Sequence, residues 1–488
     1  MRNFLFLWIF IACSTSLSSQ DFCAIKLKED NVSSYTAYTN YLKSFTARDA
    51  QQTSYLVPVS IHSIGSSEED YLSFYEIVEI LCEVNDDFST TGIQFFLSQE
   101  PQFHINSQFS IIEPDNYLNA LSNLTATYNT ANTLNIYLTE IKNNTDGTVL
   151  CGAAPFPSWE DLFLNGRGGI IMNTNCKNSA GKTLTHELGH HFNLLHTFET
   201  STGRELVTRQ SGITNCQHAG DGFCDTPADT KNYSCPYTNS GEKDPLGVIY
   251  EPDWSNFMSY YGANCLSHFS AEQSAHMVAV LENDPKRNIY LQFPNAYYLP
   301  EATEILSPSA GSTMPVNEIL TKWKSASGAT WYAVVLKKTS GTILYSGITQ
   351  ETELVIQLAN AFSNQQVLLE VSPINERYFC PNNIVNQRFS LGAPTSVYQN
   401  FIDGVSFKFV PNPVLIGKSV VARFNAGFYG NAQIDVVDLY GNILSSAPVY
   451  IFKGENNLDI DTKSLTAGIY LINLITEKGN IARKLVIE

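Results

Sequence analysis

The sequence predicts a mixed α/β (α+β) domain of catalytic size followed by two all-β sandwich units. Two observations carry this reading. Up to about residue 294, strand-like and helix-like periodicities alternate, the pattern of a sheet covered by helices. After Pro294 only short period-two runs remain, separated by Gly, Ser and Asn, the pattern of antiparallel sheets.

The elements follow in order. Residues 20–53 are polar, rich in Ser, Thr, Asn and Tyr with little periodicity, and read as a leader or short pro-segment. Residues 55–64 alternate through Val57, Val59 and Ile61 as a half-buried strand does. Over 68–88 the apolar positions Phe74, Ile77, Val78 and Leu81 recur at three and four, which predicts an amphipathic helix. Short strands are expected at 92–98, 134–138 and 168–172, and helices at 179–192 and 270–282. The last opens on Ser270-Ala-Glu-Gln273, a capping box. Residues 301–394, with Trp323 and Trp331-Tyr-Ala-Val-Val335, form the first β unit. A second runs from about 396 to 488, with strands at 432–439 and 468–475.

Composition limits the function classes. Of 488 residues only 16% are charged, and 29 Lys+Arg against 47 Asp+Glu leave a net charge of −18. Such a field repels nucleic acid and anionic lipid, so no nucleic-acid partner is expected. At 43% hydrophobic and 12% aromatic the chain is too apolar for disorder. Residues 1–19 carry Arg2, an apolar run at 4–12 and then small residues, the order of a secretory signal peptide. That run is far shorter than the ~20 residues of a membrane span, so no transmembrane segment is expected. Acylation of Cys13 is the minor alternative.

Ten cysteines in an exported chain read as disulfide partners, with one thiol over once Cys13 leaves with the signal. Cys151 with Cys176 and Cys235 with Cys265 are the working pairs, and Cys216 and Cys224 sit close enough in sequence to staple a loop. Cys23 is the candidate odd thiol. It could serve as a latch, its thiolate occupying the open position of a metal, or it could pair with Cys82 or another cysteine.

The chemistry lies in Thr185-His186-Glu187-Leu-Gly-His190-His191-Phe-Asn193-Leu-Leu-His196. His186 and His190 are one helical turn apart and can grip one ion, with Glu187 beside them to hold a water. A continuous helix would carry His196 ~15 Å along the axis and roughly 80° off that face, so the chain must turn back for it to ligate. Asn193 stands at the natural break, because Asn readily takes the left-handed conformation that ends a helix. With 9 His in the chain, an HExxH by chance is expected only about 0.008 times. His191 points round the helix and is read as ordinary. His62, His104, His218, His268 and His276 carry no spacing signal. Three neutral imidazoles leave zinc one open position for water, with Glu187 placed to take its proton.

HExxH with this third His resembles the metzincin metallopeptidases, which pair it with a downstream turn carrying a buried Met; here Ser255-Asn-Phe-Met258-Ser-Tyr260 matches. The run 186–198, the segment Gly220-Asp221-Gly-Phe-Cys-Asp225-Thr-Pro227 and Phe269-Ser-Ala-Glu-Gln273 resemble the pappalysin and cytophagalysin family over about residues 54–290. The resemblance implies a metzincin-like catalytic domain acting on protein or peptide substrates. It also implies Met258 as the floor of the site and Tyr260 as steadying the oxyanion, with Asn193 standing where the pattern has Gly. In that family the region between the third His and the Met-turn can bind calcium, for which Asp221 and Asp225 would serve; the alternative is that both are turn residues. Residues 301–394 resemble a fibronectin type III sandwich. Val410-Pro-Asn-Pro413, Val437-Asp-Leu-Tyr-Gly441, Leu465-Thr-Ala-Gly-Ile-Tyr470 and Arg483-Lys-Leu-Val-Ile487 resemble the sorting domain of the type IX secretion system, which implies that machinery as a partner.

The chain is thus expected to divide into a signal peptide (1–19), a leader or short pro-segment (20–53), a zinc metallopeptidase domain (54–294), a β-sandwich (301–394) and a sorting domain (396–488). The function expected is that of a secreted zinc endopeptidase. A cell-surface adhesin that kept the fold is the alternative.

Overall fold

The computed structural model describes residues 29–43, 55–67, 70–145, 147–163, 168–238, 241–292, 298–393, 408–426, 429–438, 442–463, 465–476 and 479–488. The apolar N-terminal run, Cys13 and Cys23 lie outside them.

Strand β1 (Tyr55–Gly65) is buried along most of its length, as expected of a central strand covered on both faces. It pairs in parallel with β2 (Ile93–Leu97), β3 (Gln102–Ile105) and β5 (Leu134–Ile141), while the short β4 (Ile111–Ile112) pairs with β5. Beyond β5 lie β7 (Ile170–Asn173), parallel to it, and the two-residue β6 (Gly152–Ala153), antiparallel to β7 at the edge. The helices are α1 (Glu29–Lys43), α2 (Phe74–Asp87), α3 (Tyr117–Tyr128), α4 (Pro157–Phe163), α5 (Ala180–His191) and α6 (Ala271–Asn283).

Local chemistry sets the helix limits. α2 begins at Phe74 rather than 68 because Ser73 and Glu76 form a capping box, the Glu76 amide donating to Ser73 Oγ at 3.2 Å and the Ser73 amide to Glu76 Oε2 at 2.7 Å. α6 starts on the expected box, the Gln273 amide donating to Ser270 Oγ at 3.1 Å. α1 lies within the stretch read as a leader or short pro-segment with little periodicity, and it is helical. Tyr35, Thr39 and Leu42, spaced four and three apart, all face the protein. Two of these three are polar and act through hydroxyls, so the helix shows no apolar stripe in the sequence.

The second half contains β8 (Ile305–Ser307), β9 (Thr313–Pro315), β10 (Ile319–Trp323), β11 (Trp331–Lys338), β12 (Ile343–Thr349), β13 (Glu353–Ile356), β14 (Gln366–Ile374) and β15 (Val385–Gly392), arranged as sheets β13-β10-β8 and β12-β11-β14-β15-β9. Trp323, Tyr332, Val334, Leu336, Leu369 and Phe389 form their shared core. The other face of β11 is covered too: Trp331, Ala333 and Val335 join the core beneath α2, and the rings of Trp331 and Phe74 meet edge-to-face at 5.4 Å. A disulfide between Cys82 and Cys380 crosses the same contact, so Cys82 is not available to Cys23. The remaining strands, β16 (Lys408–Val410), β17 (Val420–Ala426), β18 (Gly430–Val437), β19 (Ile443–Ile451), β20 (Gly454–Ile460), β21 (Gly468–Thr476) and β22 (Gly479–Ile487), form sheets β16-β17-β20 and β19-β18-β21-β22 around Phe424, Ile434, Ile472 and Leu485.

One buried ion pair ties the helices together behind the sheet. Arg287, just after α6, and Glu160, in α4, are both fully buried; Nη2 donates to Oε1 at 2.6 Å and Nη1 to Oε2 at 3.2 Å, while Nε donates to the His191 carbonyl at 3.0 Å. Removing one member strands the other charge. Glu160→Ala should therefore lower unfolding free energy in urea by about 3–5 kcal/mol, whereas the double replacement Glu160→Met/Arg287→Met should cost far less. Equal losses for the two would contradict this account of the pair.

Candidate active site

α5 is anchored before it presents any ligand: Thr185 Oγ1 donates to Asp87 Oδ2 of α2 at 2.8 Å, and Lys182 forms ion pairs with Glu83 and Asp87. His186 and His190 face the same side of it, both buried. The chain then reverses. Asn193 adopts φ +68°, its amide donates to the His190 carbonyl at 2.8 Å, and the Leu194 amide reaches back to the Gly189 carbonyl at 2.8 Å. This closed turn returns His196 to the other two.

The three imidazoles converge. His190 Nε2 lies 3.1 Å from His186 Nε2 and 3.2 Å from His196 Nε2. The far nitrogens of two rings are held by backbone: His186 Nδ1–H donates to the Phe257 carbonyl at 2.7 Å and His190 Nδ1–H to the Leu194 carbonyl at 2.7 Å. A carbonyl can only accept, so these bonds fix the tautomer and leave both Nε2 atoms as bare lone pairs. Burial pushes the His186 pKa down to about 4 and that of His190 well below its usual value, so both rings are neutral at pH 7. Lone pairs facing one another at this separation repel, and a cation among them is what satisfies the set. The donors fit zinc, which favours neutral imidazole nitrogens and in catalytic sites takes three protein ligands. Among the described residues these three form the one group of three or more His, Cys, Asp and Glu side chains gathered closely enough to hold a metal ion.

The neighbours of the cluster depend on two glycines. Glu187 is fully buried, and a Cβ at Gly152 of β6 would sit 2.8 Å from its Cγ and 3.0 Å from its Oε1. On the opposite side a Cβ at Gly189 would overlap Met258 Sδ. Met258 is fully buried against Gly189 in a turn held by the Met258 amide donating to Asn256 Oδ1 at 2.9 Å and by Asn256 Nδ2 donating to Gln273 Oε1 at 2.8 Å. The Tyr260 ring lies 4.8 Å from that of His196 and 5.7 Å from that of His186. A cleft of about 840 Å³ opens at His196 and Tyr260 and is lined also by Phe198, Glu199, Arg204 and Lys231.

The other histidines stand apart from this cluster. His191 Nε2 lies 3.2 Å from the Tyr290 hydroxyl, His62 Nδ1 is 3.2 Å from His104 Nε2, and His268 Nε2 is 2.9 Å from Asp253 Oδ2. His218 lines a separate cavity against α6, and His276 Nε2 is 3.3 Å from Asn193 Nδ2. Disulfides join Cys151 to Cys176, Cys216 to Cys224, and Cys235 to Cys265.

Asp221 and Asp225 have different surroundings. Asp225 accepts from Ser270 Oγ at 2.7 Å and from the Glu272 amide at 2.8 Å, capping α6. Asp221 is buried, with Oδ1 accepting from the Phe223 amide and Thr226 Oγ1, each at 3.0 Å, and Oδ2 without a hydrogen-bond partner among the described residues. Glu205, which the sequence reading passed over, is buried beside it; Arg209 Nη2 lies 2.7 Å from Oε1, and Oε2 presses against Gly220. Burial raises the Asp221 carboxyl to about 7 and that of Glu205 to about 8, each also raised by a neighbouring carboxylate. Gly152 escaped the sequence reading as well. A glycine in a short edge strand directly after Cys151 was the available signal, since it marks close approach of another group.

Gly152→Ala is expected to displace Glu187 while leaving the three histidines in place. Zinc content should be retained and kcat should fall by about 10²-fold or more, as for loss of a general base. Loss of zinc together with activity would show that Gly152 supports the ligands instead.

A family model described as pregnancy-associated plasma protein-A matches residues 123–282, and one described as secretion system C-terminal sorting domain matches residues 408–488. Human pappalysin-1 is 32% identical over 143 residues, 27% of this chain and 8% of its own length. An extracellular metalloprotease of Colletotrichum graminicola is 28% identical over 233 residues, 45% of this chain and 74% of its own. The dimeric latent PorU of Porphyromonas gingivalis matches 39% of this chain and 20% of its own at 16% identity, with a TM-score of 0.17 that carries no weight for the fold. No helix among the described residues is long and apolar enough to cross a membrane. Residues 123–282 are thus similar to the pappalysin-type metallopeptidases, the chain spanning only 8% of the human relative's length, and the match of residues 408–488 to a secretion sorting domain indicates a secreted or cell-surface protein.

Proposed function

We propose that the chain is a secreted zinc endopeptidase that hydrolyses peptide bonds in extracellular proteins, built from a catalytic domain over 54–294, a β-sandwich over 301–394 and a sorting domain over 396–488. The observation that carries this reading is the convergence of the His186, His190 and His196 Nε2 atoms, two of them with the tautomer fixed by carbonyls. Zinc held there would supply Lewis-acid activation of water and of the scissile carbonyl. Glu187 takes the proton from the attacking water and passes it to the leaving nitrogen, so the C–N bond breaks to a carboxylic acid and an amine. Tyr260, whose ring lies tilted against His186 and edge-on to His196, donates its hydroxyl to the carbonyl oxygen as negative charge develops there. Met258 packs beneath the ligands, and substrate enters along the cleft at His196 and Tyr260. The type IX secretion machinery is the partner that the sorting domain would engage.

Casein or gelatin hydrolysis by the processed protein should disappear with a zinc chelator and return on adding zinc. In Glu187→Ala it should fall by at least about 10³-fold with zinc retained. Zinc-loaded protein that cleaves no protein substrate would defeat the enzyme reading and leave the surface-binding alternative.

We propose further that the loop after His196 takes a calcium ion, with Asp221 and Glu205 rather than Asp221 and Asp225 as its carboxylates. Support comes from the buried Asp221 Oδ2 and Glu205 Oε2, neither of which has a hydrogen-bond partner among the described residues. At about a hundred times its dissociation constant, calcium would add about 2.7 kcal/mol of stability. The rise in Tm on adding calcium should vanish in Glu205→Gln and in Asp221→Asn and persist in Asp225→Asn; a rise lost only in Asp225→Asn would overturn the assignment.

A further inference from the structure

We infer that Asp229 is a positioning residue for Tyr260, holding that ring in register with His196 by joining the two segments that carry them. The inference rests on the oxyanion role proposed above for Tyr260. Thr197 is the residue after His196, and Tyr261 is the residue after Tyr260. Thr197 Oγ1 donates to Asp229 Oδ2 at 2.6 Å, and the Tyr261 hydroxyl donates to Asp229 Oδ1 at 2.9 Å. The Thr230 amide adds a further bond to Oδ1 at 2.6 Å. Asp229, Thr197 and Tyr261 are all buried. One carboxylate therefore ties the third-histidine segment to the Met-turn, with one oxygen on each.

A carboxylate suits this bridge because it can only accept. Both hydroxyls must turn their protons toward it, which fixes their directions, and bonds to an ionised acceptor are the stronger kind. The Thr197 amide also donates to the Met258 carbonyl at 3.1 Å, but that contact lies two residues before Tyr260, whereas Asp229 grips the residue after it. The stretch that carries Asp229 is itself fixed to the same turn. The Cys235–Cys265 disulfide joins them, the Tyr237 and Tyr261 rings meet edge-to-face at 5.7 Å, and a Cβ at Gly262 would lie 3.0 Å from Cys235 Cβ. Asp229 is thus held where it places its neighbours, and it lines the same cleft as His196 and Tyr260. Placement on this scale matters, because an error of about 1 Å in a catalytic group can cost about 10²-fold in rate.

The test is a double-mutant cycle on the processed protein, with kcat and KM measured on a fluorogenic peptide built around a bond that the wild type cleaves in casein. Tyr260→Phe should lower kcat by about 10²-fold, the scale of losing one oxyanion donor. Tyr261→Phe should lower it about tenfold in the wild-type background and change it by less than about twofold in Tyr260→Phe, because a misplaced ring matters only while it carries its hydroxyl. In Tyr261→Phe neither KM nor zinc affinity, measured by competition with a chromophoric chelator, should move. Asp229→Asn keeps one acceptor oxygen and should repeat the loss without adding to that of Tyr261→Phe. Equal losses from Tyr261→Phe in both backgrounds, no loss in either, additive losses with Asp229→Asn, or zinc binding weakened in step with kcat would each overturn the inference, since a general structural role acts on all of these. Full kcat in Tyr260→Phe would defeat the oxyanion role and this inference with it, whereas a zinc-loaded wild type that cleaves nothing would defeat the peptidase reading itself and both that follow from it.

Discussion

The controlling constraint is electrostatic: neutral imidazoles must be held with their Nε2 lone pairs about 3 Å apart, an arrangement that repels in the absence of a cation. Such a cluster forms only where the scaffold overrides the repulsion. Two carbonyls do so directly, those of Phe257 and Leu194, each from a different turn. Hydrogen bonds of this kind orient metal-ligating imidazoles and fix their tautomers.

The remaining structure is arranged around that cluster. Gly189 lets the Met258 turn approach α5, which brings the Phe257 carbonyl to His186. Gly152 at the sheet edge leaves room for Glu187. The Arg287–Glu160 pair holds the C-terminal end of α5 through the His191 carbonyl, one residue past His190. Even the middle β unit contributes, because Trp331, Ala333 and Val335 close the core beneath α2, the helix that anchors Thr185 and Lys182. The unbroken apolar run of β11 reflects this, with its two faces lying in two different cores.

Much of this was legible in the sequence, where spacing is local. The convergence of His186, His190 and His196 follows from a helical turn and a break, the break residue from the conformational tolerance of Asn, and α6 from its capping box. Long-range relations were not legible. Nothing near Cys82 points to Cys380, and nothing in 29–43 shows that Tyr35 and Thr39 bond to Asn193, because their contacts are hydrogen bonds across the fold and leave no periodicity. Glu205 was passed over for the same reason: a lone acid acquires meaning only when the chain brings Asp221 against it. Asp225, conspicuous in its motif, proved to be a helix cap.

The most direct measurement is anomalous diffraction at the zinc edge from crystals of the purified, processed protein. The account predicts a single strong peak about 2.0–2.1 Å from the Nε2 atoms of His186, His190 and His196, with an open coordination position toward Glu187. A peak at another cluster, or a fourth protein side chain closing the coordination sphere in the processed protein, would contradict it.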